Sequence, residues 1–132
     1  MQKFTPFLMF DEIAEEAINF YASIFPQTQI LNISRYGSEG PGPEGSVIRA
    51  LFSLNNQEFM CIDSYVEHAF TFTPSFSIFV QFETEEELDQ AYARLFEGGQ
   101  LFMPTGNDSF SPKFAWGADK YGVSSQLNLE NR

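Results

Sequence analysis

The sequence predicts an α+β fold made of two βαβββ modules, and three observations carry that reading. Local periodicities follow the order strand, helix and three further strands, and that order occurs twice. The apolar stripe Ala17, Phe20, Tyr21, Ile24 and Phe25 returns in the second half as Leu88, Ala91, Tyr92, Leu95 and Phe96. Three successive strands per half call for antiparallel neighbours, whereas a parallel α/β sheet would alternate strand with helix. Module one spans about residues 1–63, a connector 64–74, and module two about 75–132.

Each element has a local cause. Phe4 to Phe10 is a short apolar run that ends at Asp11, a residue able to cap the following helix. From Glu12 to Phe25, Ala14, Ala17, Ile18, Tyr21 and Ile24 recur at helical spacing. Glu12, Glu15 and Glu16 favour the helix start, and Pro26 stops the helix. Gln29 to Tyr36 alternates as a strand, and Gly37 to Gly45 has no period and reads as a loop. Ser46 to Leu54 and Gln57 to Asp63 form a hairpin about Asn55-Asn56, since Asn tolerates positive φ.

The order then restarts. Ser75 to Phe82 reads as a strand, and Thr84 to Glu87 as a capping box. Leu88, Ala91, Tyr92 and Leu95 mark a helix that Gly98-Gly99 ends. Gln100 to Met103 is a short strand, and Pro104 to Pro112 a polar loop tipped by Gly106-Asn107-Asp108. Lys113 to Ala118 and Val123 to Leu129 make the last hairpin, turned by Asp119-Lys120-Tyr121-Gly122.

Composition excludes several function classes. Eighteen acidic residues against seven basic ones give a formal net charge of −11. Nucleic acid and anionic membrane surfaces, which select basic patches, are therefore not expected partners. The N-terminus has no basic stretch followed by an apolar one, and no apolar run is long enough to span a bilayer. The single cysteine, Cys61, rules out an intrachain disulfide and fits a reducing cytoplasm. Flanked by Met60 and Ile62 with no base beside it, Cys61 reads as a buried, inert thiol. His68, the only histidine, reads as a surface or interface residue in the connector.

Glu83 to Glu87 is a helix start rather than a hydrolytic carboxylate pair. The Gly37–Gly45 loop has no Lys-Ser/Thr and does not join a strand to a helix, so it is not a phosphate loop. Gly40-Pro41-Gly42-Pro43-Glu44-Gly45 has the Gly-x-Gly-x-x-Gly spacing, but it lies between two predicted strands and opens no helix, so it is not a turn for a dinucleotide or methyl donor. The 16 phenylalanines supply either a packed core or an aromatic pocket.

Beyond these local readings, Pro6-Phe7-Leu8-Met9-Phe10, Ala17-Ile18-Asn19-Phe20-Tyr21, Ile24-Phe25-Pro26, Gly45-Ser46-Val47, Phe70-Thr71-Phe72-Thr73-Pro74, Gly98-Gly99 and Phe114 to Ser124 form a recognisable set. With the doubled βαβββ order, they give a chain that resembles the PhnB-like branch of the vicinal oxygen chelate superfamily. That branch often carries a 3-demethylubiquinone-9 3-methyltransferase label. The superfamily includes glyoxalase I, extradiol dioxygenases and fosfomycin or bleomycin resistance proteins. The resemblance implies a curled eight-stranded mixed sheet around a cavity, helices outside, and a homodimer.

The superfamily's metal enzymes place His, Gln or Glu at set strand positions. The resemblance maps these to Pro6, Ser77 and Gln126, with Asp63 as a fourth candidate. Proline offers no side-chain ligand and serine is a poor one, so neither a metal nor a cofactor is expected, and no residue is assigned a catalytic role. The same mapping turns Leu8, Phe10, Ser77, Phe79, Gln81, Ser124 and Gln126 towards the cavity and sets Met103, Trp116 and Phe110 at its mouth. Asp63 completes the candidate ligand pocket. Those side chains either line an open pocket or fill it.

Ser125 stands where relatives commonly carry Trp, which implies a wider pocket or repacked neighbours. The expected function is metal-independent binding of a small apolar or aromatic molecule. The alternative is a divalent-metal lyase, isomerase or dioxygenase of the same superfamily. Methyl transfer is not expected.

Overall fold

In the computed structural model, residues 1–106 and 112–130 are described. The chain divides into two compact units, Met1–His68 and Ala69–Arg132. In the first, β1 (Phe7–Phe10) leads to α1 (Ala14–Ile24), then β2 (Thr28–Arg35), β3 (Val47–Leu54) and β4 (Gln57–Asp63). In the second, β5 (Ser77–Phe82) leads to α2 (Glu85–Leu95), then β6 (Gln100–Gly106), β7 (Phe114–Ala118) and β8 (Ser124–Leu129). This is the predicted βαβββ order, twice. The eight strands fall into two open four-stranded sheets, ordered β1-β4-β3-β2 and β5-β8-β7-β6. In each, the first strand lies parallel to the last and the other pairs are antiparallel.

In the first unit, Leu8 pairs with Cys61 and Phe10 with Asp63, and Ala50 and Phe52 oppose Cys61 and Phe59. All seven of these residues are buried. With Ala14, Ala17, Ile18 and Tyr21 of α1 they form the core under the helix. Alternation turns Phe7, Met9, Leu51, Met60 and Ile62 to the opposite face, where Phe7 is 53% exposed.

The start of α1 departs from the sequence reading. Asp11 does not cap it; Ile13 holds the N-cap position and makes no side-chain cap bond. Asp63, 49 residues further along the chain, takes over that role. Its Oδ1 accepts from the Ala14 N–H at 2.7 Å, and its Oδ2 accepts from the Val47 N–H at 2.8 Å. A buried carboxylate is tolerable here because both oxygens receive backbone donors, one from a helix N-terminus. By contrast, α2 is capped locally as its sequence predicts: Thr84 Oγ1 accepts from the Glu87 N–H and donates to the Glu87 carboxylate.

The second core has Leu88, Ala91 and Leu95 of α2, with Phe96, on Ala115 and Leu127. Strand β6 runs on to Gly106 rather than ending at Met103, so Pro104 to Gly106 belong to an edge strand, a position that tolerates proline. The loop tip at Asn107-Asp108 lies outside the described residues. The Asp119–Gly122 turn forms as predicted. Asp119 Oδ1 accepts from the Tyr121 and Val123 N–H groups, and Gly122 adopts φ 96°.

Candidate functional site

Strand register sorts the ten predicted pocket residues. Three lie on the helix-covered side of the first sheet: Leu8 at 5% exposed, Phe10 at 2%, and Asp63, whose two oxygens are already engaged. They lie in the core beneath α1. They are packing and capping residues. The physical reason is the pleat: Phe7 and Met9, one position out of phase with Leu8 and Phe10, take the uncovered face.

The other seven gather in the second unit. Ser77 pairs with Ser124, Phe79 with Gln126, Gln126 with Trp116, and Trp116 with Met103. Gln81 follows Phe79 on the same side. The opposite side carries Ile78, Val80, Ser125 and Leu127 under α2. One face of this sheet therefore presents Ser77, Phe79, Gln81, Met103, Trp116, Ser124 and Gln126 away from the helix. Phe110 lies outside the described residues.

The chemistry of this face is aromatic with a few fixed polar groups. Phe79 is 56% exposed and Met103 44%. At the irregularity between Leu101 and Met103, the Phe102 ring comes to 4.9 Å from Trp116, tilted by 53°. The Trp116 indole N–H donates to Ser124 Oγ at 2.9 Å, and Ser124 Oγ lies 2.6 Å from Ser77 Oγ. Ser124 is buried, whereas Ser77 and Gln126 are half-buried. Gln81 Nε2 approaches Glu130 Oε1 at 3.5 Å. The Trp116–Ser124–Ser77 chain was not visible in the sequence. Its signal is a register: Ala118, two residues after Trp116, faces Ser124, which places the indole and the hydroxyl diagonally on one face.

Ser125 lies on the other side. It is buried, opposite Gly117, where an added Cβ would come within 2.9 Å of the Phe96 ring. A small residue at position 125 therefore adjusts packing under α2 and does not widen the aromatic face. Of the two consequences the sequence suggested, only repacking bears on this position.

The metal positions implied by the resemblance do not fit an ion. Pro6 has no donor, Asp63 is spent on backbone N–H groups, and Ser77 is bonded to Ser124. Among the described residues, no group of three or more His, Cys, Asp and Glu is placed to hold a metal ion. A cleft of about 370 Å³ beside the start of α1 is lined by Glu12, Glu15, Glu16, Glu44 and Asp63. Its Glu15 is held by Arg35 in a two-pronged pair at 2.6 and 3.1 Å. Cys61 is fully buried. Burial first, and the nearby Asp63 charge second, push its thiol up to about 12, which removes it as a nucleophile. His68 Nε2 lies 3.0 Å from Ser64 Oγ within the first unit.

Comparison with known proteins agrees with this architecture. A family profile described as 3-demethylubiquinone-9 3-methyltransferase matches residues 2–128. A PhnB protein from Bacillus cereus carrying the same methyltransferase label is 59% identical. That match covers 98% of this chain and 100% of the other, with a TM-score of 0.94. A glyoxylase/bleomycin resistance protein/dioxygenase domain from Frankia sp. EAN1pec is 14% identical, with a TM-score of 0.70 over 99% of this chain and 98% of that one. The fosfomycin resistance protein FosX from Listeria monocytogenes is 10% identical, with a TM-score of 0.66 over 99% and 94%. At those two identities the likeness is one of fold alone. No protein of curated function matches the chain. Among the described residues, no helix is long and apolar enough to cross a membrane.

Proposed function

This chain belongs to the 3-demethylubiquinone-9 3-methyltransferase family of PhnB-like proteins, with the fold of the glyoxalase/bleomycin resistance/dioxygenase superfamily, and from that premise we propose that it binds a small aromatic molecule without a metal. The observation that carries the reading is the helix-free face of the second sheet. There Phe79 and Met103 remain exposed beside Trp116, while Ser77 and Gln126 add polar groups. An apolar surface with a few convergent polar groups is the general form of a small-molecule site.

Methyl transfer finds no support in the chain itself. Both strand-to-helix junctions, Asp11-Glu12-Ile13 and Glu83-Thr84, lack glycine, so neither makes the close-approach turn that dinucleotide-type cofactors use. The donor set argues against the metal-dependent alternative for the reasons given above. The reading takes the protein as a homodimer, the assembly its family resemblance implies, and sedimentation velocity checks that directly.

Native mass spectrometry of freshly purified protein, paired with elemental analysis, tests the binding reading. The expected result is a co-purifying aromatic compound whose retention is unchanged by a chelator. Stoichiometric zinc, manganese or iron whose removal releases the compound would overturn it.

A further inference from the structure

We infer that Ser77 is a hydrogen-bond donor for a carbonyl-type oxygen on the bound aromatic molecule; this rests on the binding reading above and names the ligand class. The argument is an accounting of protons. The Trp116 indole N–H can only donate, and it donates to Ser124 Oγ. Ser124 is 2% exposed, so its own hydroxyl proton must find a protein acceptor. Among the described residues, the acceptor within reach is Ser77 Oγ at 2.6 Å. The direction is therefore Trp116 to Ser124 to Ser77.

Ser77 then has a proton left to place. Its available protein acceptor is the Pro74 carbonyl at 3.4 Å, well beyond the usual span of about 2.5–3.0 Å for O–H···O. A ligand oxygen at ordinary distance would capture that proton. Two donors upstream polarise the Ser77 hydroxyl further, since chained hydrogen bonds reinforce one another. Gln126, two residues beyond Ser124 on the same face, makes no side-chain hydrogen bond among the described residues and offers a second amide donor.

The charge of the face selects the acceptor. Ser77, Phe79, Gln81, Met103, Phe114, Trp116, Ser124, Gln126 and Asn128 include no Lys or Arg, and the whole chain carries −11. A carboxylate or phosphate would find no counter-charge there. An uncharged aryl ketone, aldehyde, amide or quinone carbonyl meets both requirements: a ring against Phe79 and Trp116, and an oxygen at Ser77.

Equilibrium dialysis with two probes of equal shape tests this. 2-Acetylnaphthalene carries the acceptor; 2-ethylnaphthalene lacks it. The wild-type protein should bind the ketone more tightly. Ser77→Ala should weaken the ketone about 5- to 10-fold and leave the hydrocarbon within about twofold. Ser77→Thr, which keeps the hydroxyl, should restore the ketone affinity. Trp116→Phe keeps a ring but removes the first donor, and should weaken the ketone less than Ser77→Ala does. Equal losses for both probes in Ser77→Ala, or no loss for the ketone, would overturn the donor assignment while leaving the binding reading intact. Failure of the wild type to bind either probe would overturn the binding reading, and the assignment with it.

Discussion

The two halves share one topology and cap their helices differently. In the first unit the decisive polar group is under the helix: Asp63 caps α1 and ties it to Val47, while Phe7, Met9, Met60 and Ile62 share the other face with Ser53 and Glu58. In the second unit α2 is capped within its own sequence by Thr84, so its sheet needs no buried carboxylate. Of that sheet's polar residues, Ser77, Ser124 and Gln126 face away from the helix, and the buried Ser125 lies under it. The contrast teaches that the way a helix end is capped decides whether a strand must bury a carboxylate. A strand that must close a helix end with its carboxylate turns that group inward. A strand relieved of the task can present its polar groups on the uncovered face.

The largest effect that tests this contrast belongs to Asp63. Asp63→Ala leaves the Ala14 and Val47 N–H groups buried without acceptors, and should lower unfolding free energy by about 3 kcal/mol or more in urea melts. Losing less than about 1 kcal/mol would break the claim that the carboxylate anchors the first helix.

Ser125→Trp comes next. It adds a large ring on the side that Phe96 and Gly117 fill, so it should cost about 1–3 kcal/mol by overpacking. Probe binding should stay within about twofold. A large change in binding with unchanged stability would put Ser125 on the wrong face.

A smaller effect concerns pH and Cys61. Its thiol is raised to about 12 in the folded protein, from 9.0 for the ordinary group. The unfolded chain therefore loses that proton first as pH rises, so the contribution to stability declines above about pH 9. By pH 10 the loss should be on the order of 1 kcal/mol. Cys61→Ala should abolish that part of the pH dependence. An unchanged slope in the variant would contradict it. Native protein at pH 8 should also resist alkylation that the urea-unfolded chain accepts.

The smallest effect is Thr84→Ala, at about 1 kcal/mol, as expected for a local cap in a capping box. If it equalled the Asp63→Ala loss, the asymmetry between the halves would vanish.

The same comparison explains what the sequence revealed. Helix stripes and strand order were legible because they are periodic and local. The helix-free face of the second sheet was legible too, because Ser77, Phe79 and Gln81 alternate with Ile78, Val80 and Phe82. The first strand offered no such phase. Phe7-Leu8-Met9-Phe10 is apolar throughout, so nothing local says which pair faces the helix; the fold turns Leu8 and Phe10 towards it. Asp11 was a sound local cap candidate, but Asp63 won by a contact no window of adjacent residues contains. The Trp116–Ser124–Ser77 chain depends on three strands in register, which is tertiary information as well.

The central claim is that the second sheet's helix-free face is the recognition surface. The most direct measurement is a ¹H–¹⁵N correlation spectrum of uniformly labelled protein titrated with 2-acetylnaphthalene. The chain has a single tryptophan, so the indole signal of Trp116 needs no assignment. That signal should move most, with the amides of Ser77, Phe79, Ser124 and Gln126 following and those of α1 and α2 still. Saturable binding that leaves the Trp116 indole and those four amides unmoved would contradict the account.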